Sequence, residues 1–327
     1  MSDDLTRDNP PLSRLTKGEL EGAYAINCID GISEKARRYV HESLAGNTRI
    51  AYQSDLAHFE RWGGYFPATA EIVAEYLVEH VDVLSTATLV RRIAAISLAH
   101  RSRGWNNPTS TALVQSVLRG IRRNKATAQR QARPLLKENL LDVLDITGER
   151  LGDLRDRALL LIGFAGAFRR SELVGLNWAD IEEVREGIVI TLRRSKADQT
   201  GAGRKIGIPY ARGRWCAVRA LSRWKAAAGL DDGALFRPIN RHQQIRAARL
   251  SGEAVCLIVK ARVKAAGLQP MSYSGHSLRA GLCTSAAKAG LPMWKILRQS
   301  GHASEAMLSR YIRDAELFAD NIVTSIL

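Results

Sequence analysis

The sequence predicts a mainly α-helical protein with one small antiparallel β-sheet, divided into two domains. Three observations predict it. Apolar residues recur at helical spacing through most of the chain. Alternation with a period of two is confined to Gly187 to Arg193 and Lys205 to Pro209. Between the helical first third and the remainder lies KATAQRQARP, residues 125–134, polar, basic and closed by a proline, as domain linkers are.

Residues 1–32 are mixed in charge and broken by Pro10, Pro11, Gly18, Gly22 and Gly31, so a flexible lead-in is expected there. A helical domain follows over 33–125, beginning with a short helix from Ser33 to Ala45. Asn47 or Thr48 is placed to cap the next helix, with Ile50, Leu56, Phe59 and Trp62 on one face and Gly63-Gly64 ending it. Ala68 to His80 and Thr86 to Gly104 read as two more amphipathic helices. Pro108 then opens a turn, and Ser110 to Asn124 is the last helix of the bundle.

After the linker, 126–134, the second domain spans 135–327 and opens with a helix to about Thr147. Leu151 to Ala167 is a near-continuous apolar run, DRALLLIGFAGAF, and a helix apolar all round belongs at the centre of a core. Arg169 and Glu172 follow at once, so their backbone is expected to stand on that buried helix. The alternating segments form a β-hairpin or small sheet whose link, ADQTGAG, is rich in turn residues, with Lys196 at the lip of the loop. Trp215 to Gly229 and Glu253 to Ala266 are further helices, and FRPINRHQQIRAARLSG between them is basic and loop-like. Ser274 is placed to cap a helix from His276, on which His276 and Arg279, three apart, share a face. Gly290 to Pro292 break that helix, Gly301-His302 marks a second break, and Ser304 caps the run that reaches Tyr311. Beyond it Leu317, Phe318, Ile322, Val323 and Ile326 form an apolar stripe that must be buried somewhere.

Composition bounds the function independently. With 46% hydrophobic and 25% charged residues over 327 positions the chain has the make-up of a globular protein, long enough for two cores. Cys28, Cys216, Cys256 and Cys283 are far apart, without metal spacing, so reduced thiols and a cytoplasmic protein without a metal are expected. No apolar run reaches the length of a membrane span. The net charge of +15, with pI near 10.0, calls for a polyanion, and nucleic acid is the commonest. Between Asp82 and Glu138 there is no acidic residue, while Arg91, Arg92, Arg101, Arg103, Arg119, Arg122, Arg123, Lys125, Arg130, Arg133 and Lys137 all fall there. Such a run leading into a linker reads as a surface that tracks a phosphate backbone; the plainer alternative is a solvated face.

The C-terminal stretch from His276 to Tyr311 reads GHSLRAG, QSGHASEA and MLSRYIR, and upstream stands GAFRRSELVGL, with Arg169, Ser171, Glu172 and Leu173. Together with Lys196 in RRSKADQ, these five elements in this order resemble the tyrosine recombinase (phage integrase) family over residues 45 to 327. The resemblance implies an N-terminal helical core-binding domain of SAM-like type and a C-terminal α+β catalytic domain. It implies an enzyme that breaks and rejoins DNA through a 3′-phosphotyrosyl link, with double-stranded recombination sites as substrate, a homo-tetramer on DNA, and no cofactor or metal. The outcome of recombination and any accessory protein stay open.

Cleavage of a phosphodiester passes through a pentacoordinate state with extra negative charge, which fixed bidentate donors stabilise. In the family's pattern Arg169 and Arg279 take that task and Tyr311 is the nucleophile. Lys196 protonates the departing 5′ oxygen, His276 and His302 bond the phosphate, His276 also takes the tyrosine proton, and Glu172 orients its neighbours. Arg170 competes for the role of Arg169, and Lys205 and Arg194 for that of Lys196. A helix-turn-helix regulator built on AGLPMWKILRQSGHASEAMLSRYI and a type IB topoisomerase are the rival readings.

Overall fold

In the N-terminal part, side-chain caps set where each helix starts. Thr69 Oγ1 accepts from Ile72 N, Ser85 Oγ from Thr88 N and Thr111 Oγ1 from Val114 N, satisfying donors that the first turn leaves open. The computed structural model describes residues 46–125, 132–193, 203–302 and 304–316, together with Ser33 to Lys35, Arg38, Tyr39 and Leu44. Two compact units divide the chain, Met1–Gln129 and Arg130–Leu327.

The first unit holds α1 (Gly46–Trp62), α2 (Ala70–Glu79), α3 (Thr86–Arg101) and α4 (Ala112–Asn124), with a 3-10 turn at Pro108–Ser110. Their shared core is Leu56, Phe59, Val73, Tyr76, Leu77, Leu89, Ile96, Val114 and Leu118. The start of α1 differs from expectation. Asn47 and Thr48 lie inside the helix rather than capping it, and Ile50 is 65% exposed, so the buried stripe begins only at Asp55 and Leu56.

One polar knot sits in this core. Buried Asp55 accepts from Arg91 Nε and Nη2 at 2.7 and 2.8 Å, while Arg92 Nη1 donates to Tyr76 Oη at 2.7 Å and His58 Nδ1 at 2.8 Å. Burial, and then the Arg92 guanidinium, hold His58 below its ordinary value, which keeps Nδ1 able to accept.

The second unit opens with α5 (Lys137–Asp145) and α6 (Leu151–Ala165). As its apolar run requires, α6 is central: Ala158, Leu159, Leu160 and Ile162 are fully buried, and α8 (Ala217–Ala228) packs along it. The sheet is antiparallel, β1 (Ile181–Val184), β2 (Gly187–Leu192) and β3 (Arg204–Pro209) in that order, with Ile190 opposite both Ile181 and Ile206. Strand β1, IEEV, was not expected. Its exposed Glu182 and Glu183 stand between two half-buried apolar ends, so it shows no alternation, and charge on an edge strand discourages pairing with other chains.

Helices α7 (Arg170–Gly175), α9 (Gly252–Ala265), α10 (His276–Lys288), α11 (Met293–Ser300) and α12 (Glu305–Glu316) complete the unit. Helix α10 is held by its own backbone: Leu135 N donates to Ser277 O at 2.9 Å, and a Cβ at Gly281 would collide with the Leu135 carbonyl. Only glycine permits that approach. Among the described residues no helix is long and apolar enough to cross a membrane.

Candidate active site

Arg169 and Glu172 do not continue α6. The chain leaves that helix through Gly166 and Ala167, whose φ of 48° lies in the left-handed region, and Arg169 then caps the short α7. The distortion has a use, since the Ala167 carbonyl is thereby turned toward Arg279. Buried Glu172 accepts from Arg169 N at 2.9 Å and Arg169 Nη1 at 2.6 Å, so its carboxylate both closes the first turn and fixes the guanidinium. Arg170 takes the other side. It is exposed, and its Nη1 donates to Cys256 Sγ at 3.4 Å, which leaves Arg169 as the arginine of the cluster.

Arg279 is 1% exposed. Its Nη1 donates to Ala167 O at 2.7 Å and Ser300 O at 2.6 Å, and its Nε to His302 Nε2 at 3.3 Å. The remaining nitrogen, Nη2, is buried without a partner among the described residues. A buried N–H donor without an acceptor costs about 1–3 kcal/mol, more on a charged group, so Nη2 marks where an acceptor belongs. Burial, and next Arg169, lower the Arg279 pKa to about 10, so the group stays a cation.

His302 is oriented by Ser300. The Ser300 hydroxyl donates to Ile296 O at 2.7 Å and so accepts from His302 Nδ1 at 2.7 Å, placing the imidazole proton on Nδ1 and leaving Nε2 to face Arg279. Burial and then Arg279 push the His302 pKa down to about 3, so the ring is neutral. In this arrangement His302 Nε2 accepts from Arg279, the other residue expected at the phosphate.

His276 lies in the first turn of α10, whose N-cap is Gly275 rather than Ser274; the Ser274 hydroxyl still accepts from His276 N at 3.2 Å. The His276 ring reaches outward, and Nε2 lies 2.7 Å from the Tyr311 hydroxyl on α12. Desolvation, then Arg279 and Arg169, hold its pKa below the usual 6.5, so at neutral pH His276 can accept a proton. The Tyr311 ring sits between the two imidazoles, with centroids 5.7 Å from His302 and 6.3 Å from His276.

Five of the expected residues are thus together: Arg169, His276, Arg279, His302 and Tyr311, with Glu172 behind Arg169. Lys196 and Arg194 lie outside the described residues. Lys205 is exposed on β3, on the face opposite that of Arg204, Ile206 and Ile208. Arg204 is the residue that sequence reasoning missed: its Nη1 donates to Gln299 O at 3.1 Å, beside the Gly301–His302 turn. The available signal was an arginine in phase with the buried residues of a strand. Guanidiniums, imidazoles and one carboxylate already paired to Arg169 form a donor set suited to an oxyanion.

Comparisons with known proteins point to one family. The model of the phage integrase family matches residues 133–317, which include every residue of this cluster. The chain belongs to the phage integrase family. It is similar to an integrase/recombinase xerD homolog of Selenomonas ruminantium, 42% identical over 300 residues that cover 89% of this chain and 88% of that one. It is also similar to the recombinase cre of Escherichia phage P1, 24% identical over 77% of this chain and 78% of that protein. The solved structure of a lambda integrase tetramer bound to a Holliday junction shares the fold, with a TM-score of 0.59 and 20% identity over 93% of this chain and 79% of that one. As a member of this family the chain is a tyrosine site-specific recombinase.

In the first unit the basic residues separate into two groups. Arg101, Arg119, Arg122 and Arg123 are exposed, whereas Arg103 is half-buried against the Trp105 ring and Lys125 Nζ donates to Leu84 O at 3.1 Å. Arg92 is buried in the core, which takes it off the expected phosphate-tracking surface, whereas Arg91 is bound to Asp55 yet stays exposed. Arg133 is exposed at the start of the second unit, and Arg130 lies outside the described residues.

A pH profile tests the role given to His276. The second-order rate of covalent attachment to DNA reports groups of the free enzyme, and a base acts in its neutral form. The acid-side half-maximal rate is therefore expected below pH 6.5, because the His276 pKa is lowered from its ordinary value. A half-maximal rate above pH 7 would assign the base to another group.

Proposed function

We propose that the chain cuts one DNA strand at a time by attack of the Tyr311 hydroxyl oxygen on the scissile phosphorus. The tyrosine proton passes to His276 Nε2, the bond to the 5′ oxygen breaks, and that oxygen leaves as a hydroxyl with a proton from Lys196. A 3′-phosphotyrosyl ester on Tyr311 results. Attack by the 5′ hydroxyl of a second strand reverses the step and joins the exchanged strands. The ester conserves the energy of the broken bond, so no nucleotide is required, and the charge a metal ion would supply comes from Arg279 and Arg169. The observation that carries this reading is the Tyr311 hydroxyl held 2.7 Å from a neutral His276, on the helix whose Arg279 keeps a buried Nη2 without a partner among the described residues.

The first unit serves as a core-binding domain, with Arg101, Arg119, Arg122 and Arg123 facing the phosphate backbone. Lambda integrase has been solved as a tetramer bound to a Holliday junction, and we carry that assembly over: four copies on paired sites, in the cytoplasm; the apolar stripe of residues 317–327 lies outside the described residues. A helix-turn-helix regulator needs none of the arginine, histidine and tyrosine cluster.

The experiment is covalent capture. Fragments from the chain's own genomic neighbourhood are incubated with the protein in excess EDTA and without nucleotide, and DNA that remains attached after denaturation is sequenced. One recurring sequence, ending in a 3′ phosphate on the protein, is expected. Capture that EDTA abolishes and magnesium restores would replace this mechanism by a metal-assisted one.

A further inference from the structure

Arg204 opens β3. Alternation along the strand puts it on the same face as buried Ile206 and Ile208, with exposed Lys205 and Gly207 opposite. A guanidinium on the covered face of a sheet must find an acceptor, and this one finds it at the C-terminal end of α11, where Nη1 donates to Gln299 O at 3.1 Å. From there it lies against Gly301. A Cβ at Gly301 would collide with the guanidinium, and the φ of 63° at Gly301 independently favours glycine. The next residue is His302, and the one before, Ser300, supplies the carbonyl that binds Arg279.

Holding the Gln299 carbonyl does not require a charge, since an amide side chain would serve the same acceptor. The charge is nevertheless placed where the site feels it. Burial lowers the Arg204 pKa, while Glu172 raises it and Arg169 lowers it; Arg204 in turn presses the pKa values of Arg279 and His302 down. Among the described residues, three guanidiniums thus share the site with one carboxylate, that of Glu172, and two neutral imidazoles, an excess of two positive charges. A phosphodiester brings one negative charge and its pentacoordinate state a second, and a fixed charge at a dry site stabilises such a build-up without reorganising.

We propose that Arg204 is a third cation of the active site, a positioning residue that holds the Gln299 to His302 turn against Arg279 and adds its field to the charge stabilisation of the reacting phosphate. The inference rests on the phosphotyrosyl reading above. It assigns to β3 a part in the chemistry that its neighbour Lys205, on the other face, does not share.

The test uses the full-length protein and a nicked duplex carrying the captured site, made once with an ordinary scissile phosphate and once with a methylphosphonate, which lacks one negative oxygen. Arg204→Gln keeps a donor for Gln299 O and removes the charge; Arg204→Lys keeps the charge. On the phosphodiester, Arg204→Gln is expected to form the covalent adduct roughly 100-fold more slowly than wild type, with DNA affinity within about threefold. On the methylphosphonate the gap is expected to close to about fivefold or less, because the charge that Arg204 answers is gone. Arg204→Lys should retain most of the rate. An equal loss on both substrates would leave Arg204 only a structural clamp, and no loss on either would remove it from the site; both outcomes overturn the proposal. Thermal melts accompany each variant, and if Arg204→Gln fails to fold, the same ratio is read from Arg204→Ala. Failure of the wild-type protein to attach to either duplex would instead overturn the phosphotyrosyl reading, and this inference with it.

Discussion

Tyr311→Phe is expected to bind its DNA site as wild type does and to form no covalent adduct at all. The substitution removes one oxygen. The Tyr311 ring packs with Cys283, Ile296 and Leu308, and phenylalanine keeps those contacts, so the fold and the DNA surface are untouched. What disappears is the atom 2.7 Å from His276 Nε2, and among the described residues of the second unit no other tyrosine replaces it: Tyr273 is buried at 4% exposure and Tyr210 stands after β3. A gel shift beside a denaturing gel of nicked duplex measures both quantities. An adduct formed by the Phe variant, or mapped by mass spectrometry to another residue, would remove Tyr311 from the mechanism. Weakened binding without loss of the adduct would make its ring part of the DNA contact surface instead.

Arg279→Lys is expected to lower the rate of adduct formation by at least 10²–10³-fold with little change in affinity for DNA. A lysine ammonium keeps the charge but offers donors from one point, whereas Arg279 spreads its donors over Ala167 O, Ser300 O and His302 Nε2 and still presents Nη2. Only the planar fork does all of this at once. The same contacts make the site part of the fold. Losing the guanidinium leaves two buried carbonyls short of a donor, at about 1–3 kcal/mol each, so the variant is also expected to melt earlier than wild type. Single-turnover rates on the nicked duplex, together with thermal denaturation, separate the two effects. A variant that melts early yet cuts at the wild-type rate would make Arg279 a structural cation, and the phosphate would then fall to Arg169.

Much of this site is legible in the chain because its parts are local. His276 and Arg279 are three apart on one helix, the Gly301–His302 break re-aims the chain, and Glu172 reaches back three residues to the N–H of Arg169. Helix periodicity, capping and turn chemistry act within a few residues, so spacing alone brings these groups into register. The buried run in α6 and the alternation of β2 and β3 are equally local signals. Strand β1 escaped because paired glutamates hide its period, and the start of α1 because a helical turn without apolar residues looks like a cap.

By itself, then, the sequence determined the mainly helical class, the order of the elements and which residue types crowd the C-terminal half. Tertiary structure decided which member of each adjacent pair is used. Arg169 rather than Arg170 meets the cluster because α7 starts after a left-handed Ala167, and the carbonyl that Ala167 offers lies 112 positions from Arg279. Arg204 joins through Gln299, 95 positions away. Arg92 leaves the basic surface for a core where Tyr76 and His58 accept from it, although its neighbour Arg91, as basic as it is, stays exposed. Such choices depend on burial, where a charge must find partners or lose its hydration uncompensated. Burial is a property of the packed chain, which no window of a few residues contains.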